Sequence, residues 1–412
     1  MLLLLLSGCA NGTPAWMNNS WYSHGNASGD DTQIPKGPLT VPKAAPVPPV
    51  EKQPLPVQTS PAPQAQLQTP VPTKSKVALL LPLSGKNAPL GQAMLNAAQQ
   101  AVFDIAPPNF ELMPRDTGGT DEQVDLSARD ALASGAQLII GPLFASHIPI
   151  VRNVAQANNV CMLTLSTDTS QAAPCVYVMG FAPDAQVERV VRFAVAHGMR
   201  RIAALVPNNA YGERVGQALR AAVDRSGGSL VTVDVYDADK HDTDVYVHDL
   251  FSRREAIDAL FLPEGGVELK AITNQLTAAG FDLHTTHLLG TGLWDVADMA
   301  QQDTAVVGGI YAASDPALRR RFNDTYKSTF GQEPPRLVTL AYDATALAAV
   351  LAKRGTGYDQ GMLTNPNGFA GLDGLFRLTP QGIAERGLAI LQITSDGARV
   401  VDPAPTTFAV SP

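Results

Sequence analysis

The sequence predicts an α/β protein made of two Rossmann-like lobes, each a parallel sheet covered by helices. Three observations predict it. From Lys76 onward, short apolar runs ending in Gly, Pro or Asn alternate with longer stretches of helical spacing. The apolar runs are continuous, as strands buried on both faces require. The alternation runs through twice in tandem, which calls for two similar layered units and not one long sheet.

The first unit opens with "KVALLLPLSG" (76–85), a buried-strand run ended by Gly85, and "LGQAMLNAAQQAVFDI" (90–105) follows with helical spacing. Then come strand "NFELMPRDTGG" (109–119), a helix over about 121–133, strand "AQLIIGP" (136–142), helix "IPIVRNVAQANN" (148–159) and strand "VCMLTLS" (160–166). In the second unit, helix "VERVVRFAVAHG" (187–198) precedes strand "RRIAALVPN" (200–208), and a helix over 212–226 precedes "SLVTVDVYD" (229–237). A helix over 244–256 leads to "IDALFLPEGG" (257–266), and one over 267–279 leads to "THLLGTGLW" (286–294). In such sheets ligands bind beyond the carboxyl ends of the strands, so the turns after each strand are where function is sought.

The 412-residue length allows two or three domains, and 45% hydrophobic against 17% charged residues is a globular balance. A net charge of -8 argues against nucleic acid as a partner, because neutralising phosphates takes clustered Lys and Arg. No G-x-S-x-G, H-E-x-x-H or phosphate-loop motif is present, so an enzyme is not expected. "DKHDTDVYVHD" (239–249) places His241 and His248 among aspartates; it is taken as a solvated turn and helix start, and neither a metal nor a cofactor is expected. Residues 35–72 hold 12 prolines in 38 positions, so 10–75 are expected to be a disordered linker favouring polyproline II.

The chain starts "MLLLLLSGCANGT", and Leu6-Ser7-Gly8-Cys9 resembles a bacterial lipobox. Residues 1–9 are therefore expected to be a truncated lipoprotein signal, its basic region lost to a start codon placed too far downstream, with Cys9 lipidated. Ala10 in place of Asp leans toward the outer membrane.

The turns "VALLLPLSG", "RDTGG", "LIIGPLFAS", "NNVCMLTLS", "NNAYGERVG", "AYDATALA" and "FAGLDGLFRLTPQGIAERG" occur in this order. Together they resemble the type I periplasmic-binding fold of the Leu/Ile/Val-binding-protein superfamily, over about residues 76–400. Within it the chain most resembles the LppC/LpoA-type penicillin-binding protein activators, on "ALLLPLSG", "LIIGPL", the segment Phe369-Ala370-Gly371-Leu372-Asp373-Gly374, and the lipobox with its long tether. Enterobacterial members carry an N-terminal helical-repeat domain where this chain has the proline-rich stretch. The resemblance implies lobe one at 76–182 plus about 312–375, lobe two at about 183–311 plus 376–412, and a hinge between them.

Each cleft candidate carries two readings. Ser84, before Gly85, either offers a helix N-terminus to an anion or caps a helix. Asp116 faces the cleft or hinge, or it is a turn carboxylate paired with Arg115 or a backbone N–H. Ser146, expected to begin a helix, and the turn Ser166-Thr167 match the carboxylate-gripping positions of the superfamily's amino-acid binders, or they are plain N-caps. Tyr211 matches the tyrosine lining the site from lobe two, or it packs its own turn. The ammonium-binding carboxylate of those binders is replaced by Thr291-Gly292-Leu293-Trp294, with Glu264 as a substitute from the neighbouring strand. Cys161 and Cys175 are either a disulfide rigidifying Ser166 and Thr167 or two buried thiols. The resemblance thus implies a lipid-anchored, non-catalytic regulator in the periplasm, fixed to the outer membrane, whose partner is a peptidoglycan synthase. The competing expectation is a solute-binding lipoprotein of an importer, holding a small amino-acid-like ligand between the lobes.

Overall fold

The computed structural model describes residues 74–237, 243–283, 285–296 and 298–408. The two expected sheets are present. The first lobe is a five-stranded parallel sheet in the order β2-β1-β3-β4-β5. Its strands are β1 (Ser75–Leu81), β2 (Phe110–Asp116), β3 (Leu138–Ile140), β4 (Cys161–Thr164) and β5 (Val176–Val178). Strands β1, β3, β4 and β5 are buried almost throughout, while the edge strand β2 is half-exposed. That difference explains the continuous apolar runs of the central strands and the mixed "FELMPRD" of the edge.

Helices α1 (Ala88–Ile105), α2 (Asp121–Ala133) and α3 (Ile148–Ala157) connect these strands, and α4 (Pro183–Ala196) starts the second lobe. Strands β6 (Arg201–Pro207), β7 (Ser229–Tyr236), β8 (Ala259–Phe261), β9 (His287–Gly290) and β10 (Ile310–Ala313) follow, with α5 (Ala210–Ser226), α6 (Thr243–Ser252) and α7 (Gly266–Ala278) between them; α8 (Met299–Gln302) is a single turn. The order β7-β6-β8-β9-β10 repeats that of the first lobe. The expected helix over 244–256 breaks after Ser252 into a separate 3-10 turn at Arg254–Ala256.

Two long helices then return to the first lobe. α9 (Pro316–Phe330) is capped by Asp315, whose side chain accepts from the Ala317 N–H at 2.8 Å, and it stops at Gly331 with φ 75°. α10 (Val338–Arg354) is buried along most of its length against α1, so its apolar "ALAAVLA" is core and not a membrane span. No helix among the described residues is long and apolar enough to cross a membrane. α11 (Gln360–Leu363) leads into a small antiparallel sheet of β11 (Phe369–Gly371), β12 (Gly374–Leu378) and β13 (Ala384–Arg386). The chain finally adds β14 (Ala389–Thr394) and β15 (Gly397–Asp402) antiparallel to the edge of the second sheet, at β10.

One boundary differs from expectation. The resemblance places residues 376–386 in lobe two, yet Phe376, Leu378 and Ala384 sit in the first lobe's core. The small sheet covers that core, and the chain crosses back only after Arg386. A 3.6-residue period marks a half-buried helix and a 2-residue period a half-buried strand, but neither says which core the element covers.

Candidate functional site

In both lobes the strand order reverses beside the first strand, between β1 and β3 and between β6 and β8. Ligand crevices form at such switch points. Most of the candidate residues lie on the loops that leave the carboxyl ends of these sheets, and local geometry decides what each can do.

After β1, Ser84 is exposed and is not a helix cap: the N-cap of α1 is Asn87. The N–H groups of Leu83 and Ser84 instead donate to Asp116 Oδ1 at 2.8 and 3.2 Å, and the Gly118 N–H donates to the same oxygen at 2.8 Å. Burial alone would raise the Asp116 carboxyl; the Ser84 hydroxyl and the three N–H groups outweigh it and hold it below its ordinary value. The chain's own carboxylate thus takes the backbone donors that an incoming anion would use. Arg115 pairs with Asp130, not with Asp116.

Ser146 is exposed in a 3-10 turn, Ala145–His147, and α3 begins only after it. Ser166 is buried, and its hydroxyl accepts from the Asp168 N–H at 3.1 Å. Asp168 in turn accepts from the Ser170 N–H at 3.0 Å and the Ser170 hydroxyl at 2.6 Å. Thr167 stands exposed between them. A disulfide joins Cys161 to Cys175 across the base of this loop.

The second lobe gathers a different set. Tyr211, in the first turn of α5, shares a hydrogen bond of 2.9 Å with the Thr291 hydroxyl after β9. Burial pushes the Tyr211 phenol up to about 12. Glu264, after β8, accepts from the buried Tyr236 hydroxyl at 2.6 Å. Burial raises the Glu264 carboxyl, with the neighbouring Glu268 adding to it against the opposing Tyr236 hydrogen bond. Trp294, absent from the candidate residues as a group with a task of its own, is fully buried and donates its indole N–H to the Glu264 carbonyl at 2.8 Å. A Cβ on Gly290 would lie 2.3 Å from that indole, so "GTGLW" is a seat for a tryptophan. Gln186 of α4 accepts from the Gly292 N–H at 2.7 Å. Between the lobes, Arg214 of α5 pairs with Asp184 at 2.8 Å and also donates to the Thr169 hydroxyl of the first lobe.

The structure therefore brings Ser84 and Asp116 together, pairs Tyr211 with Thr291, and pairs Glu264 with Tyr236. Ser146 and Thr167 stand apart as exposed loop residues. Cys9, and His241 of the acidic stretch, lie outside the described residues. No cluster of three or more metal-ligating side chains occurs among the described residues.

The family model described as periplasmic binding protein matches residues 74–398. The chain belongs to the periplasmic binding protein family. Solved structures agree on the fold: a branched chain amino acid ABC transporter periplasmic ligand-binding protein of Burkholderia xenovorans superposes with a TM-score of 0.66 at 17% identity, over 81% of this chain and 96% of its own. The leucine binding protein LivK of Thermotoga maritima superposes with a TM-score of 0.58 at 21% identity, over 79% and 97%. In sequence the chain is similar to the penicillin-binding protein activator LpoA of Haemophilus influenzae, 26% identical over 203 residues, which is 48% of this chain and 34% of that protein. It is 30% identical to the Pasteurella multocida LpoA over 150 residues, 35% of this chain and 25% of that protein. An uncharacterised protein of Rickettsia prowazekii is 25% identical over 163 residues, 39% and 43%. These alignments span between a quarter and under half of each curated relative's length. The type I periplasmic-binding fold expected from the ordered turns is the fold found.

Proposed function

We propose that this member of the family is a non-catalytic regulator of a peptidoglycan synthase, held at the periplasmic face of the outer membrane by acylation of Cys9. Similarity to the LpoA activators supports this partner class. What favours regulation over solute capture is Asp116: its carboxylate accepts from the Leu83, Ser84 and Gly118 N–H groups, so these donors at the end of β1 are already held by the chain's own carboxylate. Affinity capture of the chain from a native envelope, followed by mass spectrometry, tests this. A transpeptidase is expected in the eluate, and an eluate without one overturns the proposal. Metabolic labelling with a palmitate analogue is expected to mark the chain and to vanish on Cys9→Ala.

The second reading is a solute-binding lipoprotein of an importer for amino acids or amides. It is favoured by Tyr211 and Glu264, both partly exposed, which supply an aromatic face and a carboxyl suited to an ammonium or amide. A ligand at 100 times its Kd adds about 2.7 kcal/mol of stability. The regulator reading expects no thermal shift from a panel of amino acids and their amides. A reproducible shift, lost in Tyr211→Ala, would favour solute capture.

A further inference from the structure

Six charged side chains meet where the chain passes between the lobes, and none of them is among the cleft candidates. Asp295 lies in the second lobe, directly after the Gly292–Trp294 turn. Arg319 is in the first turns of α9, Arg336 precedes α10, and Asp343 lies within α10. Asp373 is in the turn between β11 and β12, and Arg386 ends β13. Arg319 and Arg336 hold Asp295 at 3.0 and 3.1 Å. The same two guanidiniums approach Asp373 at 3.5 and 2.8 Å, and Arg386 stands 3.7 Å from Asp343. Five of the six side chains are nine-tenths buried or more; Arg336 is less so. Three carboxyl groups face three guanidiniums.

The cluster is tied to every passage between the lobes. Phe181, between β5 and α4, has the Arg336 guanidinium 4.2 Å and the Arg386 guanidinium 5.0 Å from its ring centre. Arg386 also donates to the Met179 carbonyl at 2.8 Å, joining the first passage to the last. Arg319 follows the second passage by about one turn of helix. Among the six, only Asp295 belongs to the second lobe. Hinge bending would carry it away from Arg319 and Arg336, which flank Phe322 and Val338 of the first lobe's core. A buried charge is tolerated only while it is paired, so that separation leaves a carboxylate and two guanidiniums short of a partner. A domain that closes around a solute needs passages free to absorb backbone rotation.

We propose that Asp295 latches the two lobes at a single inter-lobe angle through Arg319 and Arg336, so that the body meets its partner as one rigid unit and does not open and close around solute. The test requires no partner, so its failure leaves the synthase assignment standing. Nitroxide labels at Lys86→Cys and Val267→Cys, exposed positions on the two lobes, are read by pulsed electron-spin distance measurement on the full chain in a Cys9→Ser background. One narrow distance is expected, unchanged by saturating leucine, isoleucine, valine or their amides. Asp295→Ala is expected to broaden or lengthen it while circular dichroism keeps the native helix content. If that variant does not fold, Asp295→Asn and the unsubstituted chain decide. Two populations in the unsubstituted chain, a shift with amino acid, or a folded Asp295 variant with the parent's distribution would each overturn the latch.

Discussion

Asp116 shows how one side chain settles the character of a turn. Removing its carboxylate strands the Leu83, Ser84 and Gly118 N–H groups, and hydrogen bonds to a charged acceptor carry about 1.5–3 kcal/mol. Because the site is partly exposed, Asp116→Ala is expected to cost about 2 kcal/mol, read as a lower urea midpoint at constant slope. Its folded-state value is lowered, so its contribution is present above the ordinary carboxylate value and is lost as pH falls below about 4. The gap to Asp116→Asn should close over that range. Asp343 runs the other way. Burial, and the facing Asp373, push its carboxyl up to about 7, so its effect favours the fold at low pH and fades as pH rises from about 4 toward 7. Denaturation midpoints of Asp343→Asn should therefore gain on the parent's across that window. Asp116 was visible in "RDTGG", because a carboxylate after a strand and before two glycines is turn chemistry. Asp343 was not, because an aspartate within an apolar helical run carries no sign of which carboxylate it will face.

At the scale of elements, several glycines mark where backbones touch. A Cβ on Gly91 of α1 would lie 2.0 Å from the Pro82 carbonyl oxygen, and one on Gly212 of α5 would lie 1.9 Å from the Pro207 carbonyl oxygen. Each helix follows its lobe's first strand and is pressed against the end of that strand, so the two lobes solve the same packing problem in the same way. In the F-x-G-x-x-G segment, a Cβ on Gly371 would lie 2.6 Å from the Asp343 carboxylate, and Gly374 holds φ 88°. The segment is thus a hairpin turn built around a buried carboxylate, which also accepts from the Leu372 N–H at 2.7 Å. Gly91→Ala and Gly371→Ala are each expected to cost about 1–3 kcal/mol, the usual range for overpacking, with the loss read in thermal denaturation. Gly216→Ala, whose nearest neighbour is the end of the Arg220 side chain at 3.3 Å, should be much milder.

Across the whole molecule, the disulfide and the charge cluster act on different parts of the stability. Cys161–Cys175 closes a short loop within the first lobe, and a loop of roughly 15 residues is worth about 3 kcal/mol in the chain-entropy account. Reduction is expected to lower the denaturation midpoint accordingly and to leave the inter-lobe distance unchanged, since no lobe-to-lobe contact runs through the bridge itself. The Asp295 cluster should behave in the opposite manner, changing inter-lobe distances first. Breaking a buried ion pair on one side costs about 3–5 kcal/mol, enough to make the angle between the lobes a property of the chain and not of a ligand.

The alternation of apolar runs and helical stretches was enough to establish two parallel α/β lobes, because a strand buried on both faces and an amphipathic helix each leave a periodic mark in one dimension. The post-strand turns located the candidate site for the same reason: turn chemistry is local. What only the tertiary structure decided is how distant residues pair. Asp116 with the Leu83 and Ser84 N–H groups, Trp294 with the Glu264 carbonyl, residues 376–386 with the first lobe's core, and Asp295 with Arg319 and Arg336 all join segments 24 or more positions apart. No local period records such pairings, since they depend on which faces the folded sheets bring together.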